Sequence, residues 1–236
     1  MQRIAFDVDP IALIRNTMKS TEPDPVNATI MAEIGGAESI VCYLRDDEKT
    51  VSQRDVRLLK ELVKTHLNVR VNLTEERIRQ LIALKVDMVT FVAPGNVNTL
   101  KPAPLSIDSY GSALRNYVAE LRSNNILSSI LIQPELGEIK GAGKLEFDYI
   151  ELDASALGEA DDMAAEVDML ENLSGLLLAA GKLGLGVNIS GAIGYDNMRD
   201  IASLDYLEDI IVAEPVVNKA LFIGIEHAIR DLNSLL

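Results

Sequence analysis

One cysteine and two histidines in 236 residues leave this chain short of the usual reactive side chains. A single thiol, Cys42, excludes an internal disulfide and any multi-thiolate metal site within one chain, and it fits a reducing, cytoplasmic setting. Positive charge is also scarce. With 22 Lys and Arg against 36 Asp and Glu, the net charge of −14 argues against nucleic-acid or anionic-membrane partners, because both need a positive field. No apolar run approaches the roughly 18 residues of a membrane span, and the start MQRIAFDVDP has no signal-peptide core, so a soluble, unprocessed protein is expected. There is no Walker or dinucleotide glycine loop, no linker and no low-complexity tract.

What is present is alternation. Short β-branched runs recur between longer amphipathic ones, the signature of βα units feeding a parallel sheet. Eight strands are expected, at Arg3–Asp9, Ser39–Leu44, Asn68–Asn72, Met88–Ala93, Leu127–Gln133, Tyr149–Ser155, Gly186–Ser190 and Asp209–Glu214. Eight units in this length predict one (βα)8 TIM barrel domain over residues 1–236. Asp24-Pro25, Ser52 and Thr74 read as helix N-caps. The Pro- and Asn-rich stretch Gly95–Asp108 is the longest loop, either a lid or a surface turn. Ala160–Gly184 is long for a barrel helix, with Ser174-Gly175 as its expected break.

In this architecture chemistry sits at the C-terminal strand ends. Those positions hold Asp7, Asp9, Tyr43, Arg45, Arg70, Asn72, Glu151, Asp153, Asn188, Ser190 and Glu214. The alternation of a strand points Asp7 with Asp9, and Glu151 with Asp153, to a common face. Such carboxylates either line a site or cap helices and pair with a nearby Arg. His66 and His227 both fall in expected helices and read as surface or packing residues. Cys42 should point away from Tyr43 into the layer beneath the helices, as a buried structural thiol. Tyr43 is either a proton donor or a packing aromatic. The loop SGAIGYDN, Ser190 to Asn197, has the small residues that would let backbone approach an oxyanion, and reads equally as a plain turn. Glu214-Pro215 opposite would repel a phosphate and offers no proline N–H.

Several long frames resemble one family. LRDD with QRDVRLLKELVKT, EPDPV with AEIGGAESI, LGLGVNISGAIGYDN and the terminal NKALFIGIEHAIRDL together are similar to the pyridoxine 5′-phosphate synthases. The resemblance implies a (βα)8 barrel with added helices that assembles into homo-oligomers. It also implies condensation of 1-deoxyxylulose 5-phosphate with 3-amino-2-oxopropyl phosphate, with no metal and no organic cofactor. The family's histidine before LR falls at Tyr43, its glutamate after LNV at Arg70, and its strand-seven histidine at Gly191. Its first-strand asparagine and histidine fall at Asp7 and Pro10, an arginine at Met18, a histidine at Thr50, and Gly-His at Ala213-Glu214. Asp9, Arg45, Glu151 and Asn188 match. With the family positions laid over the strand ends, Tyr43, Arg70 and Glu151 are the candidate catalytic residues. Asp7, Asp9, Arg45, Asn188, Gly191 and Glu214 are candidate substrate-binding residues through the resemblance, and Asp153 and Ser190 through their strand-end places alone.

Tyr, Arg and Gly do not titrate near neutral pH without a large shift, so the family condensation is expected to be absent or very slow. Three readings stand side by side: a mouth refitted for another small molecule, a non-catalytic relative serving as scaffold or regulatory partner, and retained synthase activity. In the first, Asp7, Tyr43, Arg70, Glu151 and Glu214 form the polar lining, with the carboxylates suited to an amine or a divalent metal. An Arg70–Glu151 salt bridge filling the mouth would favour the second.

Overall fold

The computed structural model describes residues 2–94, 101–160 and 162–236. Eight parallel strands close in sequence order into a barrel: β1 (Arg3–Asp7), β2 (Ser39–Leu44), β3 (His66–Val71), β4 (Met88–Phe91), β5 (Leu127–Ile132), β6 (Tyr149–Asp153), β7 (Gly186–Ser190) and β8 (Leu207–Val212). Around them run α1 (Asp9–Thr17), α2 (Pro25–Gly35), α3 (Gln53–Leu62), α4 (Glu75–Leu84), α5 (Ile107–Ser123), α6 (Leu136–Lys144), α7 (Met163–Lys182), α8 (Met198–Ala202), α9 (Glu214–Ile223) and α10 (Ile225–Asn233). The expected (βα)8 barrel is thus formed. A pair of helices, α1 with α2, follows β1, and another, α9 with α10, follows β8.

Strand alternation sorts the side chains into two cores. Ile40, Cys42 and Leu44, with Leu67, Val69 and Val71 on the next strand, face the helices and join the large outer core. Cys42 therefore lies in that layer, as expected, and burial pushes its thiol well up. Facing inward are two small apolar clusters, Ala5 with Val41 and Ile211, and Tyr43 with Val92 and Leu131. Apart from Met88, which meets Asn188, the remaining interior is polar: Ser39, Asn68, Arg70, Thr90, Ser129, Glu151, Asn188 and Asp209 are all buried. Barrel interiors usually fill with Val, Ile and Leu.

Local chemistry explains the helix starts. Asp24 accepts a hydrogen bond from the Val26 N–H, with Pro25 in the first turn. Ser52 and Asp55 form a reciprocal capping box, and Asp55 also takes both Nη atoms of Arg15 at 2.9 Å, tying α3 to α1.

Several expectations need correction. Thr74 stands at the N-cap of α4 but its hydroxyl bonds Asp46, not the helix. His66 opens β3 instead of ending a helix, because α3 stops at Leu62. α7 runs unbroken through Ser174-Gly175. Asp9 belongs to α1 and Glu214 to α9, one step beyond their strands. Of the Gly95–Asp108 loop, residues 95–100 lie outside the described residues. Ala103 pairs with Ala93 in an isolated antiparallel bridge, and Ile107 opens α5.

Candidate functional site at the barrel mouth

Arg70 organises the site. Its guanidinium crosses the barrel from β3 to β6, with Nη2 2.6 Å from Glu151 Oε1 and Nε 3.2 Å from Oε2, and its Nη1 lies 2.6 Å from Asp7 Oδ2 on β1. Ser190 Oγ on β7 donates to Glu151 Oε1 at 2.5 Å. Four strands are thereby stitched together by one buried ion network, since Arg70 is 3% and Glu151 0% exposed. Burial alone would lower the guanidinium's pKa, but Glu151 and Asp7 overcome it and hold Arg70 firmly charged.

The remaining groups divide by environment. Asp7 Oδ1 accepts the Asp9 N–H at 2.9 Å, and both Asp9 carboxylate oxygens lie 3.1 Å from the single N–H of Tyr43. Burial, followed by the neighbouring Asp7 carboxylate, pushes Asp9 well above the usual carboxylate range, against the Tyr43 N–H and Arg70. The Tyr43 phenol donates to Asn72 Oδ1, and burial raises it to about 12 although Arg45 and Asn72 oppose the rise. It therefore keeps its proton at neutral pH. The Arg45 guanidinium packs over the Tyr43 ring at 5.5 Å and pairs with Asp47 at 2.8 Å.

Above this floor opens a cavity of about 990 Å³. Asp7, Asp9, Arg70, Asp153, Ser190, Gly191 and Glu214 line it, so seven of the expected site residues are brought together. Tyr43, Arg45, Glu151 and Asn188 do not. Glu151 is sealed beneath Arg70 and Ser190. Asn188 lies inside the barrel beside the register shift between β7 and β8, where its Oδ1 accepts the Asp209 N–H at 3.3 Å. Glu166, Asp196, Asp200 and Lys101 also line the cavity and were not foreseen. Asp196 was legible within the SGAIGYDN loop; Glu166 and Asp200 lie inside helices, where a surface acid carries no distinguishing signal. Among the described residues, no group of three or more His, Cys, Asp or Glu side chains is placed to hold a metal ion.

The strand-seven loop is not an open anion cradle. Its Ile193 N–H bonds Gly191 O and its Gly194 N–H bonds Asn197 Oδ1, both at 2.9 Å, so two of its amides are used internally. Gly191 has φ +120°, and a Cβ there would lie 2.5 Å from Ser155 N. A side chain at this position meets the backbone of the loop after β6. Across the mouth, Glu214 pairs with Lys101 at 3.0 Å.

Fold and mouth define a (βα)8 barrel with a polar C-terminal cavity. Solved structures with this fold include thiamine phosphate pyrophosphorylase from Pyrococcus furiosus (TM-score 0.65, 16% identity, 99% of this chain and 94% of that one). Another is 3-keto-L-gulonate-6-phosphate decarboxylase from Vibrio cholerae (TM-score 0.65, 13% identity, 99% and 96%). At such identities the likeness is one of fold alone. The sequence is more specific: residues 4–236 match the family model of "Pyridoxal phosphate biosynthesis protein PdxJ". Pyridoxine 5′-phosphate synthase of Geotalea daltonii is 34% identical over 100% of this chain and 98% of its own length, and that of Geotalea uraniireducens is 32% identical over the same shares. The chain belongs to the PdxJ family.

Proposed function

We propose that this PdxJ-family barrel binds a small molecule at its C-terminal mouth and acts on it by chemistry other than the condensation of 1-deoxyxylulose 5-phosphate with 3-amino-2-oxopropyl phosphate. One observation carries the reading. Where the resemblance puts the family's proton relay, this chain has a closed Arg70–Glu151–Asp7 ion network beside a Tyr43 phenol that holds its proton to about pH 12. A permanently charged guanidinium and a neutral phenol cannot exchange protons with substrate near neutral pH. No histidine is among the residues lining the cavity. Asp9, half-buried at the cavity wall and raised in pKa, is the group suited to proton transfer there.

The test is turnover of the purified protein with the two family substrates beside the Geotalea daltonii relative. No pyridoxine 5′-phosphate is expected; formation at a comparable rate would sink the proposal. A second reading, a non-catalytic relative, is favoured by the Arg70 clamp itself, which ties up both buried carboxylates. The open cavity above the clamp weighs against it, because the salt bridge does not fill the mouth. We also propose self-association through an exposed apolar run at the end of α9, a cytoplasmic setting, and no nucleic-acid or membrane partner. No helix among the described residues is long and apolar enough to cross a membrane.

A further inference from the structure

We infer that the floor of the barrel, opposite the mouth, carries an acid-sensitive catch: the neutral imidazole ring of His66, whose protonation loosens the start of β3. His66 is the first residue of β3 and shares a face with Asn68 and Arg70, so its side chain turns inward at the N-terminal end of the barrel. Its Nδ1 is buried and has no hydrogen-bond partner among the described residues. Next in that row, Asn68 Oδ1 accepts from the Thr90 hydroxyl at 2.8 Å, but its Nδ2 is likewise buried and unpartnered. Two of the three such atoms among the described residues therefore lie on β3 below Arg70.

The charged groups around the ring are already paired with one another. On β8, buried Asp209 lies 2.7 Å from Arg3 Nε on β1, and Glu208 shares that guanidinium at 3.5 Å while accepting the Tyr149 hydroxyl at 2.8 Å. Asp87, just before β4, is 2.7 Å from Lys60 Nζ on α3 and takes the Leu67 N–H at 2.9 Å. Ser39 on β2 gives its hydroxyl to the His66 carbonyl at 3.4 Å, not to the ring. Asp209 and Asp87 attract a charged ring while Arg3 and Lys60 repel it, and among the described residues His66 forms no ion pair. A neutral ring keeps its one proton on Nε2 and leaves Nδ1 a bare acceptor. A charged ring carries N–H on both nitrogens, and the Nδ1 N–H would have no acceptor inside the floor. Burial accordingly lowers the His66 pKa, against the pull of Asp209 and Asp87. The unfolded chain then binds this proton more tightly than the folded one. The ring's contribution to stability is full above about pH 6.5 and is lost as pH falls toward the folded value.

With two histidines in the chain, His227→Gln on the exposed side of α10 leaves His66 as the sole imidazole to follow by NMR between about pH 8 and about pH 5. Its titration is expected below the ordinary imidazole value of about 6.5. Amide exchange of Leu67, corrected for the intrinsic effect of pH, should lose protection as the ring charges. In urea denaturation wild type and His227→Gln should lose stability relative to His66→Gln as pH falls through about 6.5, and Leu67 protection in His66→Gln should hold. A His66 titration at or above that value would overturn the inference, as would Leu67 protection that stays constant as the ring charges. A pH-independent difference between wild type and His66→Gln, or equal loss of Leu67 protection in both, would do the same. Should His66→Gln fail to fold, the titration and the Leu67 exchange of the single-histidine variant decide the matter alone.

Discussion

Removing the Arg70 guanidinium would strand two carboxylates, Glu151 and Asp7, inside the barrel. Breaking one partner of a buried pair costs about 3–5 kcal/mol, whereas replacing the whole set by apolar groups is far cheaper. Arg70→Met is therefore expected to lose about that much stability in urea denaturation, and Arg70→Met/Glu151→Leu to recover part of it. A loss under about 1 kcal/mol for the single variant would show that the network does not hold the strands together. Asp9 makes a pH prediction with a definite sign. Its folded pKa lies above the unfolded one, so its contribution is full below about pH 4 and is lost as pH rises through the folded value. Asp9→Asn does not titrate. The stability of wild type relative to this variant should fall as pH climbs from about 4 toward neutrality. Asp55 behaves oppositely: burial would raise it, but Arg15 and Ser52 hold it low, a term shared by both proteins that cancels in the comparison. A wild-type minus variant difference that is flat with pH would remove Asp9 as the raised group.

At the scale of elements, two glycines separate a loop built around a missing side chain from a helix that merely tolerates one. Gly191 combines φ +120° with a Cβ position 2.5 Å from Ser155 N, while a Cβ at Gly175, inside α7, would meet nothing within 4 Å. Gly191→Ala is expected to destabilise by about 1–3 kcal/mol from backbone strain. Gly175→Ala should stabilise by roughly 0.5–1 kcal/mol. Thermal melts of the two variants check both signs, and a neutral Gly191→Ala would mean that the β6 loop yields easily. The same glycine contrast marks where sequence reading worked and where it did not. Ser174-Gly175 suggested a break because propensity was weak, yet packing of Leu173, Leu176, Leu177 and Ala180 carries α7 through it. The strand expected from Asn68 begins two residues earlier, at His66, because the apolar spacing of α3 runs on to Val63 and a polar His at the strand's first position gives no β signal. The barrel itself was legible because its outward faces keep the period of two that burial under helices demands. Glu166 and Asp200 were not, since nothing in a helical sequence says which turn reaches the mouth.

For the whole molecule, charge and shape oppose each other. A net charge of −14 keeps copies apart, yet Leu221, Phe222 and Ile223 at the end of α9 are 72%, 88% and 41% exposed. Met31 and Ile34 are exposed on α2, and α2 and α9 both pack against α10. Exposed apolar side chains of this size mark a candidate interaction face. A second copy of this chain is the proposed occupant, as the family resemblance implies, and the like charges of two copies make the contact depend on screening. Above roughly one Debye length, about 10 Å at 0.1 M salt, the repulsion fades while the apolar contact does not. Sedimentation velocity should therefore find species larger than the 25.7 kDa chain, with the share rising as salt is added. Phe222→Glu, which places a charge in the patch and touches no residue of the barrel mouth, should return the protein to monomer at every salt concentration. A wild type that sediments as a monomer throughout would end the proposal, and association that survives Phe222→Glu would move the interface to another face.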